Sequence, residues 1–262
     1  MLNSNKGLST STLKYIAMIL MFINHFFNVY FDKFPNTNVS LDNFQLYLTR
    51  PSFFIFCFLI SEGMRYTRGR KKYILRLLLF ALSSELIYDY VTRGQLIYIY
   101  SQNSLFDLFA GALIIYIYDY FKDDRILGFI SITCICVLDC VLCFGYSILG
   151  ALLPLMFYIC NNDKKKLVIY GIPISIFLST LLYIVIYLIR PGYSILLQRK
   201  YFYDYVIEYG LLEAHGLLSL PFIFLYNKQK GKQLPKLFYY FFYPGHLLLI
   251  KLIVSLIDAP IF

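Results

Sequence analysis

The sequence predicts an all-α fold: a polytopic bundle of helices integral to a membrane, with about nine transmembrane helices. Of its 262 residues, 59% are hydrophobic and only 15% are charged, whereas a soluble globular chain carries about 25% charged residues. Apolar runs, most of them near the roughly 20 residues that a helix needs to cross a bilayer, follow one another with brief connections. An ordinary soluble enzyme is therefore excluded, and little of the chain is left for a separate aqueous domain.

Nine apolar runs are predicted to be the transmembrane helices. They cover residues 12–31, 51–64, 73–92, 103–121, 126–144, 146–160, 167–189, 205–226 and 237–257. The second and sixth runs are short, and the eighth carries Glu208, Glu213 and His215. No repeat or low-complexity linker separates the runs, so residues 1–262 are predicted to form one domain.

The basic residues predict the orientation of the bundle. The chain has 24 Lys and Arg against 15 Asp and Glu, a net charge of +9. The predicted loops and ends on one side carry 17 of these 24 basic residues, and the other side carries 7. Because basic loops stay in the cytoplasm, we expect the amino terminus inside and the carboxyl terminus outside. The positive charge thus indicates topology and contact with membrane lipids, and no nucleic-acid partner is expected.

No metal site is predicted. The six cysteines lie in or at the end of apolar runs, where free thiols pack as small apolar side chains. Cys136, Cys140 and Cys143 line one helix face, and Asp139 lies on the same helix. A metal or redox site on this helix is the less favoured alternative.

All three histidines of the chain fall within predicted spans: they are His25, His215 and His246. Ionisable side chains in hydrocarbon cost about 2.5–3.5 kcal/mol each on insertion scales, so those that occur usually face a cavity, a partner or a substrate. An imidazole, with an ordinary pKa of about 6.5, can accept a proton from an amine or a hydroxyl near neutral pH. The histidines are therefore candidates for acid/base chemistry.

Carboxyl groups also occur at membrane depth. Glu85 and Asp89 are four residues apart in the third predicted span, so they share a helix face, and Asp107 begins the fourth. Carboxylates that face a histidine would form an acid/base arrangement, in which the carboxylate fixes the imidazole tautomer. The alternative is an internal ion pair that only holds helices together.

A dense group of cations lies on the predicted cytoplasmic side. Its six members are Arg65, Arg68, Arg70, Lys71, Lys72 and Arg76. Lys and Arg side chains beside the N–H groups of a helix amino end form an anion site that suits phosphates. A stop-transfer patch, or contact with anionic lipid headgroups, is the alternative.

Several sequence blocks, in order, resemble the TraX family. The first block, residues 11–25, ends in Asn24-His25, where the family has a similar Asp-His. The further blocks are residues 50–67, 72–77, 80–89, 102–111 and 242–247. The resemblance covers residues 7–121 and 238–250. Two positions depart from the family pattern: Asn24 replaces the usual Asp, and Asp107 stands where a hydroxyl residue is common. The resemblance therefore implies that Glu85 or Asp107, instead of residue 24, orients His25.

The resemblance implies a membrane acetyltransferase, associated with N-acetylation of conjugative pilin. The wider transmembrane acyltransferases take an acyl group from cytoplasmic coenzyme A, and a first-span histidine and a basic motif after a later span are their functional hallmarks. Here these are similar to His25 and to the segment 65–76. The resemblance thus implies acetyl-CoA as the donor, a pilin-like peptide or a cell-surface glycan as the acceptor, and the cytoplasmic membrane of a bacterium. A homodimer is a further possibility that the sequence leaves open.

On this interpretation His25 is the base or a transient acetyl carrier. Glu85, Asp107 and His246 are the other predicted catalytic residues, with His246 positioning the acceptor. The residues predicted to bind acyl-CoA or the acceptor are Arg50, Glu62, Arg65, Arg68, Lys72, Arg76, Asp89, Asn103 and Tyr243. The donor is expected to enter between the second and third spans.

Two other classes of protein remain as alternatives. A proton-coupled transporter would also carry His, Glu and Asp at the membrane midplane, but it would show inverted repeats or matching broken spans, which are not evident. A non-catalytic membrane component of a conjugation or secretion complex would need neither the buried histidines nor the dense cations.

Overall fold

The computed structural model describes residues 7–35, 37–189 and 199–261. Throughout these residues the regular structure is helical, and an isolated bridge pairs Leu8 with Tyr226. The predicted all-α fold is therefore confirmed.

The helices follow one another with short connections. In chain order they are α1 (Thr10–Lys33), α2 (Val39–Thr49), α3 (Pro51–Tyr66), α4 (Arg70–Arg93), α5 (Leu105–Tyr120), α6 (Arg125–Val141), α7 (Ser147–Cys160), α8 (Lys164–Lys166), α9 (Ile172–Ile189), α10 (Arg199–Ala214), α11 (Leu220–Phe224) and α12 (Lys236–Ser255). A π-helical turn, Leu167–Gly171, joins α8 to α9, and a 3₁₀ turn, His215–Ser219, joins α10 to α11.

Polar side chains set where several helices begin. Ser9 caps α1 by accepting the N–H of Thr12, and Asn38 caps α2 by accepting the N–H of Leu41. Such caps satisfy N–H groups that have no partner within the first turn, and each contributes about 1 kcal/mol. The amino ends of these helices are thus encoded locally.

Five helical stretches of the described chain are long and apolar enough to cross a membrane. They are Thr10–Lys33, Val39–Tyr66, Lys164–Ile186, Val206–Phe224 and Leu237–Ser255, and Ser147–Cys160 is a shorter apolar helix. The chain is thus a helical membrane protein, but the predicted count of nine spans is not confirmed. Helices α5 and α6 have only 16 and 17 residues, fewer than the roughly 20 that a span needs, and α4 carries several charges.

One of the predicted boundaries is wrong. Residues 39–49, predicted to lie in a loop, form α2, and the helical Arg50 leads directly into α3. The predicted span 205–226 agrees with the apolar helical stretch Val206–Phe224, and within that stretch the α-helix tightens at His215 into the 3₁₀ turn before Pro221. A proline has no N–H to donate and crowds the preceding turn, which explains why the helix tightens here.

The chain divides into two compact units. Unit 1 comprises Met1–Phe56, Ile87–Leu96 and His215–Phe262, and unit 2 comprises Cys57–Leu86 and Ile97–Ala214. Unit 1 therefore brings together the first and last segments of the sequence.

In unit 1, α1 packs against α2 and α12. At the amino end of α1, the Leu8 N–H donates to the carbonyl of Leu225 at 2.7 Å, and the Asn227 N–H donates to the carbonyl of Leu8 at 2.9 Å. At the other end of α1, Lys33 reaches the end of α12. Its Nζ donates to the carbonyls of Val254 at 3.0 Å, Ser255 at 3.3 Å and Ile257 at 2.7 Å.

In unit 2, α5 packs against α6 and α7, and α9 packs against α7 and α10. Helices α5 and α7 approach closely because Gly111 faces the ring of Pro154. A Cβ atom at Gly111 would lie 2.5 Å from Cγ of Pro154, which is less than any real contact, so only glycine fits at this crossing.

Candidate functional site

Two of the predicted catalytic residues meet in unit 1. His25 lies on α1 and His246 lies on α12, and Nδ1 of His25 is 3.1 Å from Nε2 of His246. The ring centroids are 5.1 Å apart, and the ring planes differ by 23°. A hydrogen bond therefore links the two imidazoles, which we call the histidine pair.

Aromatic rings enclose the histidine pair. Phe242 stacks on His246 with a centroid distance of 5.0 Å, and Phe22 lies 6.2 Å from the same ring. Tyr243, a predicted binding residue, presents its edge to both imidazoles, at 6.1 Å from His25 and 5.5 Å from His246. His246 is only 4% exposed. Because these rings keep out water, the hydrogen bond between the histidines is stronger than it would be in solvent.

The residue that precedes His25 is bonded to α2. Asn24 donates from Nδ2 to Oγ1 of Thr49 at 2.8 Å, and its Oδ1 accepts from Asn28 at 3.1 Å. Thr49 in turn donates to the carbonyl of Gln45 at 2.8 Å. The amide of Asn24 thus ties α1 to α2.

The third histidine has different surroundings within unit 1. The ring of His215 lies 4.5 Å from that of Tyr47, between centroids. Two predicted binding residues also belong to unit 1: Arg50, where α2 meets α3, and Asp89, which is buried in α4.

In unit 2, two predicted donor-binding residues form an internal ion pair. Arg65 donates to Glu62 at 3.3 Å, and Glu62 also accepts from Asn162 at 3.0 Å. Arg65 further donates to the carbonyl of Tyr158 at 2.8 Å, and its guanidinium lies 4.7 Å from the centre of the Tyr158 ring. The charge of Arg65 is therefore largely neutralised within the protein.

A second cation of the basic segment is held in the same way. Arg70 pairs with Asp119 at 2.5 Å, and the Tyr158 hydroxyl donates to the same carboxylate at 2.6 Å. Partial burial lowers the pKa of the Arg70 guanidinium, but its contacts with Asp119 and Tyr158 outweigh this and raise the pKa above its ordinary value. The remaining cations of the segment are exposed: Arg68, Lys71, Lys72 and Arg76.

Glu85 and Asn103, both predicted site residues, also meet in unit 2. Oε2 of Glu85 accepts from the backbone N–H of Asn103 at 3.1 Å and from its side-chain amide. Asn103 is fully buried, and its Oδ1 accepts the N–H of Leu105 at 2.9 Å. The two side chains thus fix the start of α5 against α4.

Asp107 is fully buried within unit 2. Its carboxylate oxygens accept the N–H of Tyr146 at 3.1 and 3.2 Å, and a Cβ at Gly150 would lie 2.5 Å from Oδ1. Asp107 therefore has a visible structural role, which is to tie α5 to the start of α7.

Asp139 is 1% exposed and is not among the predicted site residues. Within the described chain, neither of its side-chain oxygens has a hydrogen-bond partner.

Three residues of these contacts are not predicted from the sequence: Asp119 and Tyr158, which hold the two arginines, and Asn162, which donates to Glu62. Each comes from a helix or turn remote in sequence from the basic segment, and a single sequence carries no signal of such pairings. A carboxylate near the end of an apolar helix, such as Asp119 in α5, is the one feature that could have drawn attention.

These features define a class of protein: a polytopic helical membrane protein with a hydrogen-bonded histidine pair. A family model described as TraX protein matches residues 9–254, so the chain belongs to the TraX family. The match includes the middle of the chain, which the sequence blocks quoted above leave out. A search of curated proteins and a search of solved structures each found no match.

Proposed function

We propose that this protein is an acetyltransferase of the bacterial cytoplasmic membrane, which transfers an acetyl group from acetyl-CoA to an amine or hydroxyl of a peptide or cell-surface glycan. The observation that carries the proposal is the histidine pair. His25 is half-buried and bonded through one ring nitrogen to His246, and no described residue hydrogen-bonds its other nitrogen, Nε2. A base in this setting is positioned and shielded from bulk water.

The proposed reaction is one acyl transfer. The acceptor nitrogen or oxygen attacks the thioester carbon of acetyl-CoA and gives its proton to Nε2 of His25. A C–N or C–O bond forms, the C–S bond breaks, and the proton then passes to the departing thiolate of coenzyme A. In a two-step variant, His25 itself accepts the acetyl group before the acceptor does.

The exposed cations support the choice of donor. Arg68, Lys71 and Lys72 surround the amino end of α4, where no acidic residue occurs in the first turn. The amino end of a helix favours anions, and here Asp119 pairs only with Arg70 among the described cations, so the three exposed cations add positive charge that a further anion would offset. The phosphates of coenzyme A would supply that anion.

Replacing His25 with Ala tests the base. We expect acetyl transfer from labelled acetyl-CoA, measured in membranes that supply the acceptors, to fall by about 10²- to 10⁴-fold, which is the usual contribution of a general base. His215→Ala is the matched control, because it removes another histidine of unit 1, and it should leave transfer unchanged. Full transfer by the His25 variant would overturn the proposal.

Neutralising the exposed cations tests the donor site. Coenzyme A at about 100 times its Kd should stabilise the wild-type protein by about 2.7 kcal/mol, since a ligand of the native state shifts unfolding by mass action. We expect a combined Arg68→Gln, Lys71→Gln and Lys72→Gln variant to lose this stabilisation.

The control for the donor test removes a different exposed basic run. A combined Lys164→Gln, Lys165→Gln and Lys166→Gln variant changes the net charge equally and should keep the response to coenzyme A. A response retained in both variants would contradict the phosphate site. No response in the wild type would favour the transporter or the non-catalytic component.

A further inference from the structure

The hydrogen bonds of His246 determine which of its nitrogens carries the proton. Nδ1 of His246 lies 2.8 Å from the carbonyl oxygen of Phe242. A carbonyl oxygen only accepts, and its two lone pairs allow a bond from a side chain besides one from the backbone. Nδ1 of His246 is therefore the donor, and in the neutral ring Nε2 of His246 is left as an acceptor.

The protonation of His246 in turn determines the tautomer of His25. Nε2 of His246 accepts, so Nδ1 of His25, 3.1 Å away, must donate. A neutral imidazole has one N–H and one lone pair, so the lone pair of His25 resides on Nε2. The geometry points to His246 as the positioning residue that holds His25 in its Nδ1–H tautomer and so makes Nε2 of His25 the basic atom.

This inference rests on the proposed function, and it gives the last helix a definite part in it. A chain of hydrogen bonds runs from His25 through His246 to the Phe242 carbonyl. When His25 takes a proton, His246 accepts a stronger hydrogen bond from it, as a carboxylate does beside the histidine of a hydrolase triad. Asn24 is bonded to Thr49 and to Asn28 instead.

The surroundings fix His246 for this role. Phe242 both accepts its Nδ1–H and stacks on its ring, with planes only 10° apart. The ring is therefore held against rotation about its side-chain bonds, and with it the direction in which Nε2 points. A single orientation of His246 gives a single tautomer of His25.

The tautomer can be read directly by nitrogen NMR. The protein has three histidines, so full-length protein labelled with ¹⁵N-histidine in lipid nanodiscs gives a small set of ring signals, assigned by removing one histidine at a time. We expect the wild-type His25 to carry its proton on Nδ1. A His25 that carries it on Nε2, the tautomer that free histidine prefers in water, would overturn the inference.

Two substitutions separate positioning from packing. His246→Gln places an oxygen acceptor near the site of Nε2, whereas His246→Phe keeps a flat ring without any acceptor. We expect the Phe variant to lose about 10²-fold or more in kcat, with the KM for acetyl-CoA unchanged, and its His25 to move to the Nε2–H tautomer. The Gln variant should keep the Nδ1–H tautomer and recover kcat to within about tenfold of the wild type.

The outcomes distinguish this inference from the proposed function. If the wild-type protein transfers acetyl groups but His25 is the Nε2–H tautomer, or if the Phe variant keeps the wild-type kcat, the inference fails and the function stands. If the Nδ1–H tautomer is observed and no acetyl transfer occurs, the proposed function fails and the hydrogen-bond assignment stands. A Gln variant as impaired as the Phe variant would also overturn the positioning role.

Discussion

At the scale of single residues, the protein distinguishes two glycines that look alike in sequence, because each adjoins a histidine. Gly216 follows His215 in the 3₁₀ turn, and a Cβ there would lie 2.1 Å from the ring of Phe54. Gly245 precedes His246 in α12, and a Cβ there would meet open space. The close approach of the backbone to the Phe54 ring therefore requires glycine at position 216, whereas position 245 has room for a side chain.

We expect Gly216→Ala to lower the free energy of unfolding by about 1–3 kcal/mol, because the added methyl group overpacks against the Phe54 ring. Gly245→Ala is the matched control, and it should raise stability by about 0.5–1 kcal/mol, since alanine is the better residue within a helix. Thermal unfolding of both variants in the same detergent measures the difference. Equal melting temperatures would contradict this account.

Single residues of the site were predictable, but their contacts were not. His25, His246 and Tyr243 stand out as polar side chains in apolar runs, and the structure brings all three together. The two histidines are 221 positions apart in sequence, and one sequence does not encode which distant helices pack. For the same reason the contact of Arg65 with the carbonyl of Tyr158 on α7 is not predictable, although its pairing with Glu62, three residues earlier on α3, is local.

At the scale of helices, Lys33 shows how one element stabilises another. It ends α1, and its ammonium group donates to three carbonyls around the end of α12. The last carbonyls of a helix have no N–H partner within it and carry the negative end of its dipole. Lys33 therefore donates hydrogen bonds to these carbonyls and also places a positive charge at the negative end of the α12 dipole.

Replacing Lys33 with Met should keep the apolar stem of the side chain while removing its charge and its donors. We expect a loss of about 1 kcal/mol from the stability of the fold, the typical worth of a cation at a helix carboxyl end. Lys122 is exposed, so Lys122→Met serves as the control and should have the same melting temperature as the wild type. If the two variants melt together, the cap contributes nothing measurable.

Hydropathy located some helices better than others. The predicted spans 12–31 and 237–257 agree closely with α1 and α12, because both are long apolar runs. Helix α2 was missed, since it is short and mixes apolar residues with Asp42 and other polar ones. A run of apolar residues also gives no sign of where an α-helix will tighten, as it does at His215.

At the scale of the whole molecule, composition was enough to predict a helical membrane protein but insufficient to count its spans. Bilayer-crossing segments are defined by length as well as by polarity. Helices α5 and α6 are apolar enough but too short, and α4 is long enough but carries several charges. The number of spans therefore depends on packing that composition does not report.

The orientation of the chain is a separate prediction, derived from the distribution of Lys and Arg. We expect a reporter enzyme that is active only outside the cytoplasm to be active when fused after residue 262 and inactive when fused after residue 166. Fluorescent-protein fusions at the same positions should give the opposite pattern. An inactive reporter after residue 262 would reverse the predicted location of the carboxyl terminus.

Unit 1 joins the earliest and latest parts of the chain, which has a consequence for biosynthesis. The start of α1 is bonded to Leu225 and Asn227, and His25 meets a partner that the ribosome adds 221 residues later. Long-range contacts of this kind form slowly, because the chain between them must first be ordered. A nascent or truncated chain that stops before residue 246 thus exposes the basic segment 65–76 without a completed histidine pair, so the proposed chemistry can begin only once translation is nearly finished.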